Sequence, residues 1–308
     1  MRNASQVTAV VVTFNRKKLL LSCLEALAQQ SCLPERIIVV DNASTDDTPG
    51  GLASSGWMER PDFAYIRLPD NRGGAGGFEA GIRAAVDLGA TWIWLMDDDA
   101  VPSSDALEQL TRVATDTNAI YGSAAVQGDR LSWRMTLASD RSQQVAYAAN
   151  LPDSAEVVLL PFLGFLLHRS VTSRIGFPDA GYFIAADDVE YCVRAQRHGI
   201  KTILAGRSLI EHPAANLYDV RIFKRNFVCL KLPPWKRYYD TRNRILLAKA
   251  HFGLRLYTQT LPGLLVRLSM TMIKEPNRGA QLRAFVAGVL DGLLGIKGKR
   301  HEFWRIPP

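Results

Sequence analysis

The chain has 308 residues, of which 47% are hydrophobic and 22% charged, a composition typical of a folded globular protein and not of a disordered one. Its four cysteines show no CxxC spacing, and no charged segment followed by an apolar one stands at the N-terminus, so we expect a cytoplasmic protein without a zinc or disulfide framework. The net charge of +7 is uneven, because residues 201–308 carry 20 Lys and Arg against six Asp and Glu. Without a zinc-finger, RRM or convincing helix-turn-helix pattern we expect no nucleic acid partner, and an anionic lipid surface is the better candidate.

Two apolar runs flank a helical pattern within the first fifty residues. Val7 to Thr13 is a β-branched run typical of a strand buried on both faces, and Ile37 to Val40 is a second. Between them, Leu20, Leu24 and Leu27 recur at helical spacing. This order predicts an open α/β sheet that binds ligands beyond the carboxyl ends of its strands. No GxGxxG follows the first strand, which argues against a dinucleotide-binding fold.

A further apolar run, Trp92 to Met96, ends in three consecutive carboxylates. Asp97 and Asp99 lie two residues apart, so a strand that continued to Asp99 would place both on one face and Asp98 on the other. Burial of these charges without a counter-ion would be costly, whereas Mn²⁺ or Mg²⁺ takes oxygen ligands and shares them with substrate phosphates. A solvated acidic turn before a helix is the alternative.

A glycine-rich segment follows the predicted strand at residues 64–68. It runs from Asn71 to Phe78 and contains four glycines, which would let the backbone approach a ligand and present N–H groups to an anion at the start of the next helix. Arg72 adds a positive charge suited to a diphosphate. The alternative is a flexible loop without a ligand.

The three strand ends carry a family resemblance. Thr13-Phe14-Asn15-Arg16, Asp41-Asn42-Ala43-Ser44-Thr45-Asp46 and Asp97-Asp98-Asp99, in this order, resemble the nucleotide-binding half of the family 2 inverting glycosyltransferases of GT-A fold. The Gly-Gly-x-Gly-Gly-Phe form of the glycine segment is similar to the galactofuranosyltransferase branch, while rhamnosyltransferases share the first two motifs. The resemblance implies an α/β catalytic domain over residues 1–232, with a nucleotide-binding half (1–100) and an acceptor half (101–232), followed by a helical basic region (233–308).

The resemblance also implies roles for the strand ends. The first strand end would pack on the nucleotide base, Asp41 would hydrogen-bond that base, and Asp97 and Asp99 would bind the donor diphosphate through the metal. For Asp41, an Asx turn or a helix N-cap is the alternative. The expected nucleotide-sugar-binding residues are Thr13, Phe14, Asn15, Arg16, Asp41, Asn71, Arg72, Gly73, Gly74 and Asp98.

A second acidic cluster, Asp187-Asp188-Val189-Glu190, opens a predicted helix. Carboxylates in a first turn complement the helix dipole, which is the structural alternative. An inverting transfer needs a carboxylate that takes the proton from the acceptor hydroxyl. The cluster resembles the family's second signature, which implies Asp188 as the base, with Asp187 as the alternative one residue away. Asp187 and Glu190 would contact the acceptor.

Three later residues complete the expected site. His212 follows a predicted strand at residues 201–205, and in the family a His after this strand is often a further metal ligand, although a lone His is more often structural. The Tyr-Tyr-x-x-Arg-Asn run also occurs in the galactofuranosyltransferase-like branch. Tyr239 and Arg242 lie three apart on one helical face, where they would meet a sugar or lipid diphosphate. An amphipathic packing helix is the alternative.

The C-terminal region is apolar and basic together. Leu254 to Ile273 contains Arg255, Arg267 and a Pro-Gly pair, so it does not form an uninterrupted membrane span. Two amphipathic helices, here and at residues 283–294, would instead lie at the inner face of a bacterial membrane, unless they pack on the catalytic domain. The resemblance implies transfer of galactofuranose from UDP-galactofuranose, or of rhamnose from dTDP-rhamnose, to a polyprenyl-diphosphate-linked glycan. A non-catalytic nucleotide-binding scaffold is the alternative from another class.

Overall fold

The computed structural model describes residues 7–140, 144–222 and 225–307. The chain divides into two compact units, Met1–Ala180 with Tyr191–Ala214, and Gly181–Glu190 with Ala215–Pro308. The second unit thus begins before the boundary expected at residue 232, and it includes the short segment that carries the second acidic cluster.

The strands are β1 (Val7–Thr13), β2 (Arg36–Asp41), β3 (Phe63–Arg67), β4 (Trp92–Asp97), β5 (Val101–Pro102), β6 (Ala119–Gln127), β7 (Arg130–Thr136), β8 (Gln144–Tyr147), β9 (Ser154–Glu156), β10 (Phe165–His168), β11 (Lys201–Glu211), β12 (Leu217–Ile222) and β13 (Arg225–Leu230). The α-helices are α1 (Lys17–Ala28), α2 (Thr48–Ser54), α3 (Gly73–Asp87), α4 (Ala106–Val113), α5 (Arg169–Ile175), α6 (Asp187–Arg197), α7 (Pro234–His251), α8 (Leu261–Lys274) and α9 (Arg278–Leu294). A π-helical turn, Leu256–Thr260, precedes α8.

The first unit is built on one mixed sheet in the order β3-β2-β1-β4-β10-β6-β11-β5. Strand β1 lies parallel to both β2 and β4, with Thr13 opposite Asp41 and Val12 opposite Asp97. The carboxyl ends of the three strands that carry the first motifs therefore meet at one edge of the sheet, where open α/β sheets bind their ligands.

Both faces of this sheet are buried. Val10 and Val12 pack with α3 on one face, whereas Ala9 and Val11 pack with α1 on the other. This alternation explains why β1 is apolar at every position rather than at every second one. The predicted open α/β sheet flanked by helices is confirmed.

The glycine-rich segment forms the first turns of α3 and is not a loop. A Cβ at Gly77 would overlap the side chain of Val12, and a Cβ at Gly81 would overlap Val10. Glycines four residues apart on one face thus let α3 approach β1 closely. Gly74 differs, because a Cβ there would meet open space.

In the second unit, α9 packs on α7 through small residues. A Cβ at Gly288 would lie 2.7 Å from the Tyr238 carbonyl oxygen, and one at Gly292 would lie 2.9 Å from Ile245 Cβ. These two glycines allow the helices a close approach. Within the described ranges, no helix has the length and hydropathy needed to cross a bilayer.

Candidate active site

Two side chains at the end of β1 bind two carboxylates of the turn after β4. Thr13 is the last residue of β1, and Arg16 lies three residues further on. The Thr13 hydroxyl donates to Asp98 Oδ2 (2.8 Å), and Arg16 Nη1 donates to Asp98 Oδ1 (3.1 Å) and Asp99 Oδ2 (2.6 Å). Strand β4 ends at Asp97. The strand therefore does not continue to Asp99, and the alternation of side chains expected for such an extension does not arise.

Arg16 also sets the charge balance at this edge of the sheet. Burial raises the pKa of Asp98, opposed by the Thr13 hydrogen bond and the Arg16 charge. Burial likewise acts to raise the pKa of Asp99, but His212 and Arg16 outweigh it and the pKa is lowered. Arg16 thus supplies one positive charge to Asp98 and Asp99, where the sequence predicted only a metal ion as the counter-charge.

His212, the residue after β11, meets Asp99 at this edge. Its Nε2 lies 3.4 Å from Asp99 Oδ1, its backbone carbonyl accepts from the Ser132 hydroxyl (2.7 Å), and the Trp133 ring packs edge-on against the imidazole. Contacts to its backbone and to its ring fix the position of this imidazole.

Asp99 and His212 form a ligand pair that suits Mn²⁺, because that ion binds both carboxylate oxygen and imidazole nitrogen. Within the described part of the chain, no three His, Cys, Asp or Glu side chains are gathered as a metal site, so Asp97 is not brought into such a group. Two protein ligands completed by substrate phosphates and water would be ordinary for a divalent cation at a nucleotide site. The residues therefore fit a cation shared with the donor.

Asn15 joins the loops that follow β1 and β2. Its backbone has a left-handed φ of 55°, its Oδ1 accepts from Thr45 N (2.6 Å) and Asp46 N (3.2 Å), and its own N–H donates to the Ser44 hydroxyl. The sequence grouped Asn15 with the nucleotide ligands. Its contacts fix the loop that presents Phe14, whose side chain is exposed at this edge.

Asp41 is fully buried at the end of β2. Its Oδ1 accepts from Ser44 N (2.7 Å), and its Oδ2 accepts from the Tyr65 hydroxyl (2.5 Å) and lies 3.4 Å from Arg67 Nη1. Both oxygens are used within the chain. This geometry favours the Asx-turn interpretation over a direct hydrogen bond to the base.

The start of α3 is fixed from two sides. Asn71 Oδ1 accepts from Gly73 N (2.8 Å), and Asn42 Nδ2 donates to the Gly73 carbonyl (3.1 Å). Asn42 is 2% exposed, and its Oδ1 has no hydrogen-bond partner within the described chain. Arg72 lies half-exposed, 3.8 Å from Glu79. Asn42, which the sequence singled out only as part of a motif, is therefore a positioning residue for the first turn of α3.

In the second unit, Asp187 and Asp188 begin α6. Asp187 is 8% exposed, whereas Asp188 keeps partial exposure and accepts from Val189 N (2.7 Å). Burial raises the pKa of both carboxyls, and repulsion from Asp188 raises that of Asp187 further. Glu190 Oε1 lies 3.0 Å from Nε2 of His251, at the end of α7, a partner that no sequence pattern indicated.

The segment before this cluster has a strained backbone. Phe183, Ala185 and Ala186 adopt left-handed φ values of 65°, 69° and 62°, which non-glycine residues rarely do. The Asn243 side-chain nitrogen lies 3.0, 2.8 and 2.7 Å from the carbonyl oxygens of Tyr182, Ile184 and Ala185. Such strain persists only where neighbouring contacts impose it. Asn243 therefore fixes the backbone segment that precedes the acidic cluster.

Arg242 and Tyr239 belong to the same support. Arg242 is fully buried and donates to the carbonyls of Tyr182 (2.8 Å) and Gly298 (2.6 Å) and to the side-chain oxygen of Asn243 (2.9 Å). Tyr239 is also fully buried, with its hydroxyl 2.8 Å from His301 Nδ1. These contacts argue against the predicted acceptor role for Arg242 and Tyr239, because neither side chain reaches the surface.

Comparison with known proteins identifies relatives of the chain. A model described as Glycosyl transferase family 2 matches residues 8–176. Galactofuranosyltransferase GlfT1 of Mycobacterium tuberculosis is 31% identical over 247 residues, which are 77% of this chain and 80% of that protein. Mannosyltransferase PcManGT from Pyrobaculum calidifontis, solved with GDP-Man and Mn²⁺, has a TM-score of 0.57 at 16% identity, and the match covers 94% of this chain and 87% of the PcManGT chain. GalNAc-T7, solved with UDP, GalNAc and Mn²⁺, has a TM-score of 0.62 at 11% identity, and the match covers 100% of this chain and 59% of the GalNAc-T7 chain. These two structures show that the chain has the GT-A fold that its sequence predicted.

Proposed function

The chain belongs to glycosyl transferase family 2, and we propose that it is an inverting, metal-dependent galactofuranosyltransferase. It would move galactofuranose from UDP-galactofuranose to a polyprenyl-diphosphate-linked glycan at the inner face of a bacterial membrane. The likeness to GlfT1 supports the donor. The observation that carries the chemistry is the approach of Asp99 and His212 beside Arg16, at the edge where the β1, β2 and β4 ends meet.

At the donor end, each of these side chains has a distinct task. Asp99 and His212 would hold the divalent cation, which supplies positive charge to the diphosphate as the bond to the sugar breaks. Arg16 would add a second, permanent charge beside it. The Thr13 hydroxyl orients Asp98, and the other oxygen of Asp98 accepts from Arg16. The exposed Phe14 ring offers a flat apolar surface on which the nucleotide base would stack.

The acceptor chemistry falls to Asp188. Its carboxylate would take the proton of the acceptor hydroxyl while that oxygen attacks the anomeric carbon and the bond to the UDP oxygen breaks on the opposite side, which inverts the configuration. A raised pKa makes Asp188 a stronger base near neutral pH. Asp188 is preferred over Asp187 because Asp188 keeps partial exposure. Glu190, held by His251, would contact acceptor hydroxyls.

The experiment that tests this proposal is turnover of a panel of nucleotide sugars with a lipid-linked acceptor, with Mn²⁺ and with EDTA. We expect release of UDP from UDP-galactofuranose only with the cation present, and no turnover of UDP-galactopyranose. Turnover of dTDP-rhamnose instead would be consistent with the proposed site residues but would show that the proposed donor is wrong. Tight UDP binding without turnover of any donor would favour the non-catalytic scaffold.

A further inference from the structure

The outer face of α9 carries an exposed apolar stripe. Leu282, Val286, Leu290 and Leu293 keep 45%, 47%, 43% and 40% of their surface exposed, and Leu294 keeps 72%. Successive residues of an α-helix turn by about 100°. The spacing of these five residues therefore places them within one sector of about 120°. The exposed Arg283 lies in the same sector at its N-terminal end. An exposed apolar stripe of this kind, unlike scattered exposed residues, marks an interaction surface.

The opposite face of α9 is already occupied. Ala284, Gly288 and Gly292 are buried, and the two glycines lie against α7. Asp291, the single acidic residue of α9, is buried too and accepts from the Tyr238 hydroxyl (2.6 Å) and Trp304 Nε1 (2.9 Å). The contact with α7 thus fixes the orientation of the stripe, and no carboxylate of α9 lies beside it.

The charge around the stripe selects the partner. Arg278 and Arg283 are exposed on α9, and Lys297 and Lys299 follow it closely. Over residues 215–308, 18 Lys and Arg stand against five Asp and Glu, and three of those five are buried. Two copies that met through this face would bring like charges together, whereas an anionic lipid surface would attract them.

We propose that α9 lies in the headgroup region of an anionic lipid bilayer, with its apolar stripe in the acyl boundary and Arg283 on lipid phosphates. A helix of 17 residues is about 25 Å long, enough to lie in the membrane plane as interfacial helices do. This inference deepens the proposed function, since a lipid-linked acceptor presents its sugar at that surface. The exposure of the five apolar side chains identifies the residues that insert, which the sequence pattern did not distinguish.

Vesicle flotation of the full chain tests this inference. We expect the wild type to float with vesicles of phosphatidylglycerol and phosphatidylcholine, to float less at high salt, and to stay behind with phosphatidylcholine alone. The double variant Val286→Gln/Leu290→Gln alters two exposed side chains and should lower the partition coefficient about tenfold or more. The control is Leu33→Gln/Leu88→Gln, at two positions of the first unit that are 56% and 50% exposed, which should bind as the wild type does.

Equal flotation of the Val286/Leu290 variant and the wild type would overturn the inference. It would also be overturned if the wild type did not float with anionic vesicles. A wild-type dimer that the same variant converts to a monomer would assign the stripe to a second copy and overturn it as well. Flotation needs neither donor nor acceptor, so a failure of sugar transfer leaves this result unaffected. With a soluble acceptor analogue, the variant should transfer sugar at the wild-type rate.

Discussion

The side-chain nitrogen of Asn243 lies 2.7 Å from the carbonyl oxygen of Ala185, two residues before Asp187. Ala185 and Ala186 both have left-handed φ values, each at a cost of about 1–3 kcal/mol that surrounding contacts must offset. Asn243 makes that contact from the middle of α7, and Arg242 in turn holds the Asn243 side chain. The direction in which α6 presents its carboxylates therefore depends on a residue outside that helix.

Asn243→Ala should thus weaken catalysis more than donor binding. Because a displacement of about 1 Å can cost about 100-fold in rate, we expect kcat to fall by about that factor. The affinity for UDP with Mn²⁺, measured by calorimetry, should stay unchanged. Asn118→Ala, which removes an exposed amide of the first unit, serves as the control. An unchanged kcat in Asn243→Ala would remove this residue from the positioning role.

The glycines of α3 should differ sharply from one another in stability measurements. Gly77→Ala places a methyl group against Val12 and should lower the free energy of unfolding by about 1–3 kcal/mol. Gly74→Ala meets open space within a helix and should be neutral or stabilising by up to about 1 kcal/mol. Denaturant unfolding of both variants decides the point. Equal losses would show that the glycine run does not serve packing.

This contrast shows where sequence reasoning succeeded and where it failed. The strand β1 was predicted to the residue, because a continuous β-branched run has few alternatives. The glycine run was predicted to lie before α3 and not within its first turns, because glycine disfavours helices in isolation and the packing of Gly77 and Gly81 on β1 is a tertiary effect. The fold was thus readable from local patterns, whereas the start of α3 was not.

The candidate site was predicted unevenly for a similar reason. The approach of Asp99 to His212 follows from strand ends that the sequence marks with polar residues. The buried positions of Tyr239 and Arg242 do not, because a basic and aromatic helix looks the same whether its arginine meets a ligand or a backbone carbonyl. The partner of Glu190, His251, is 61 residues away and lies in no motif.

Asp99→Asn and His212→Ala should weaken cation binding in the presence of UDP. Each change removes one ligand of the pair, and we expect the affinity for Mn²⁺ to fall at least about tenfold. Electron paramagnetic resonance of free Mn²⁺ measures this without any turnover. Asp129→Asn, an exposed carboxylate of the same unit, should bind the cation as the wild type does. Wild-type affinity in both site variants would exclude Asp99 and His212 as ligands.

Asp187 should make the stability of the fold depend on pH. Burial raises its pKa in the folded chain above the unfolded value of about 4. A raised pKa means that the folded state favours the protonated carboxyl. The contribution of Asp187 to the free energy of unfolding is therefore fully present below the pKa of the unfolded chain and is lost as the pH rises through the pKa of the folded chain. Asp187→Asn stays neutral throughout. Its Tm should therefore exceed that of the wild type at pH 8, with a gap that closes toward pH 4. A gap that is the same at both pH values would contradict the assignment.

The rate of sugar transfer by Asp188→Asn, measured beside its affinity for UDP with Mn²⁺, tests the assignment of the catalytic base. The amide keeps the shape of the carboxylate but cannot take a proton. We predict that kcat falls by about 100-fold to 10,000-fold while UDP binds as it does to the wild type. Transfer at the wild-type rate would show that Asp188 is not the base. The same loss in Asp187→Asn with Asp188→Asn unaffected would move the base by one residue.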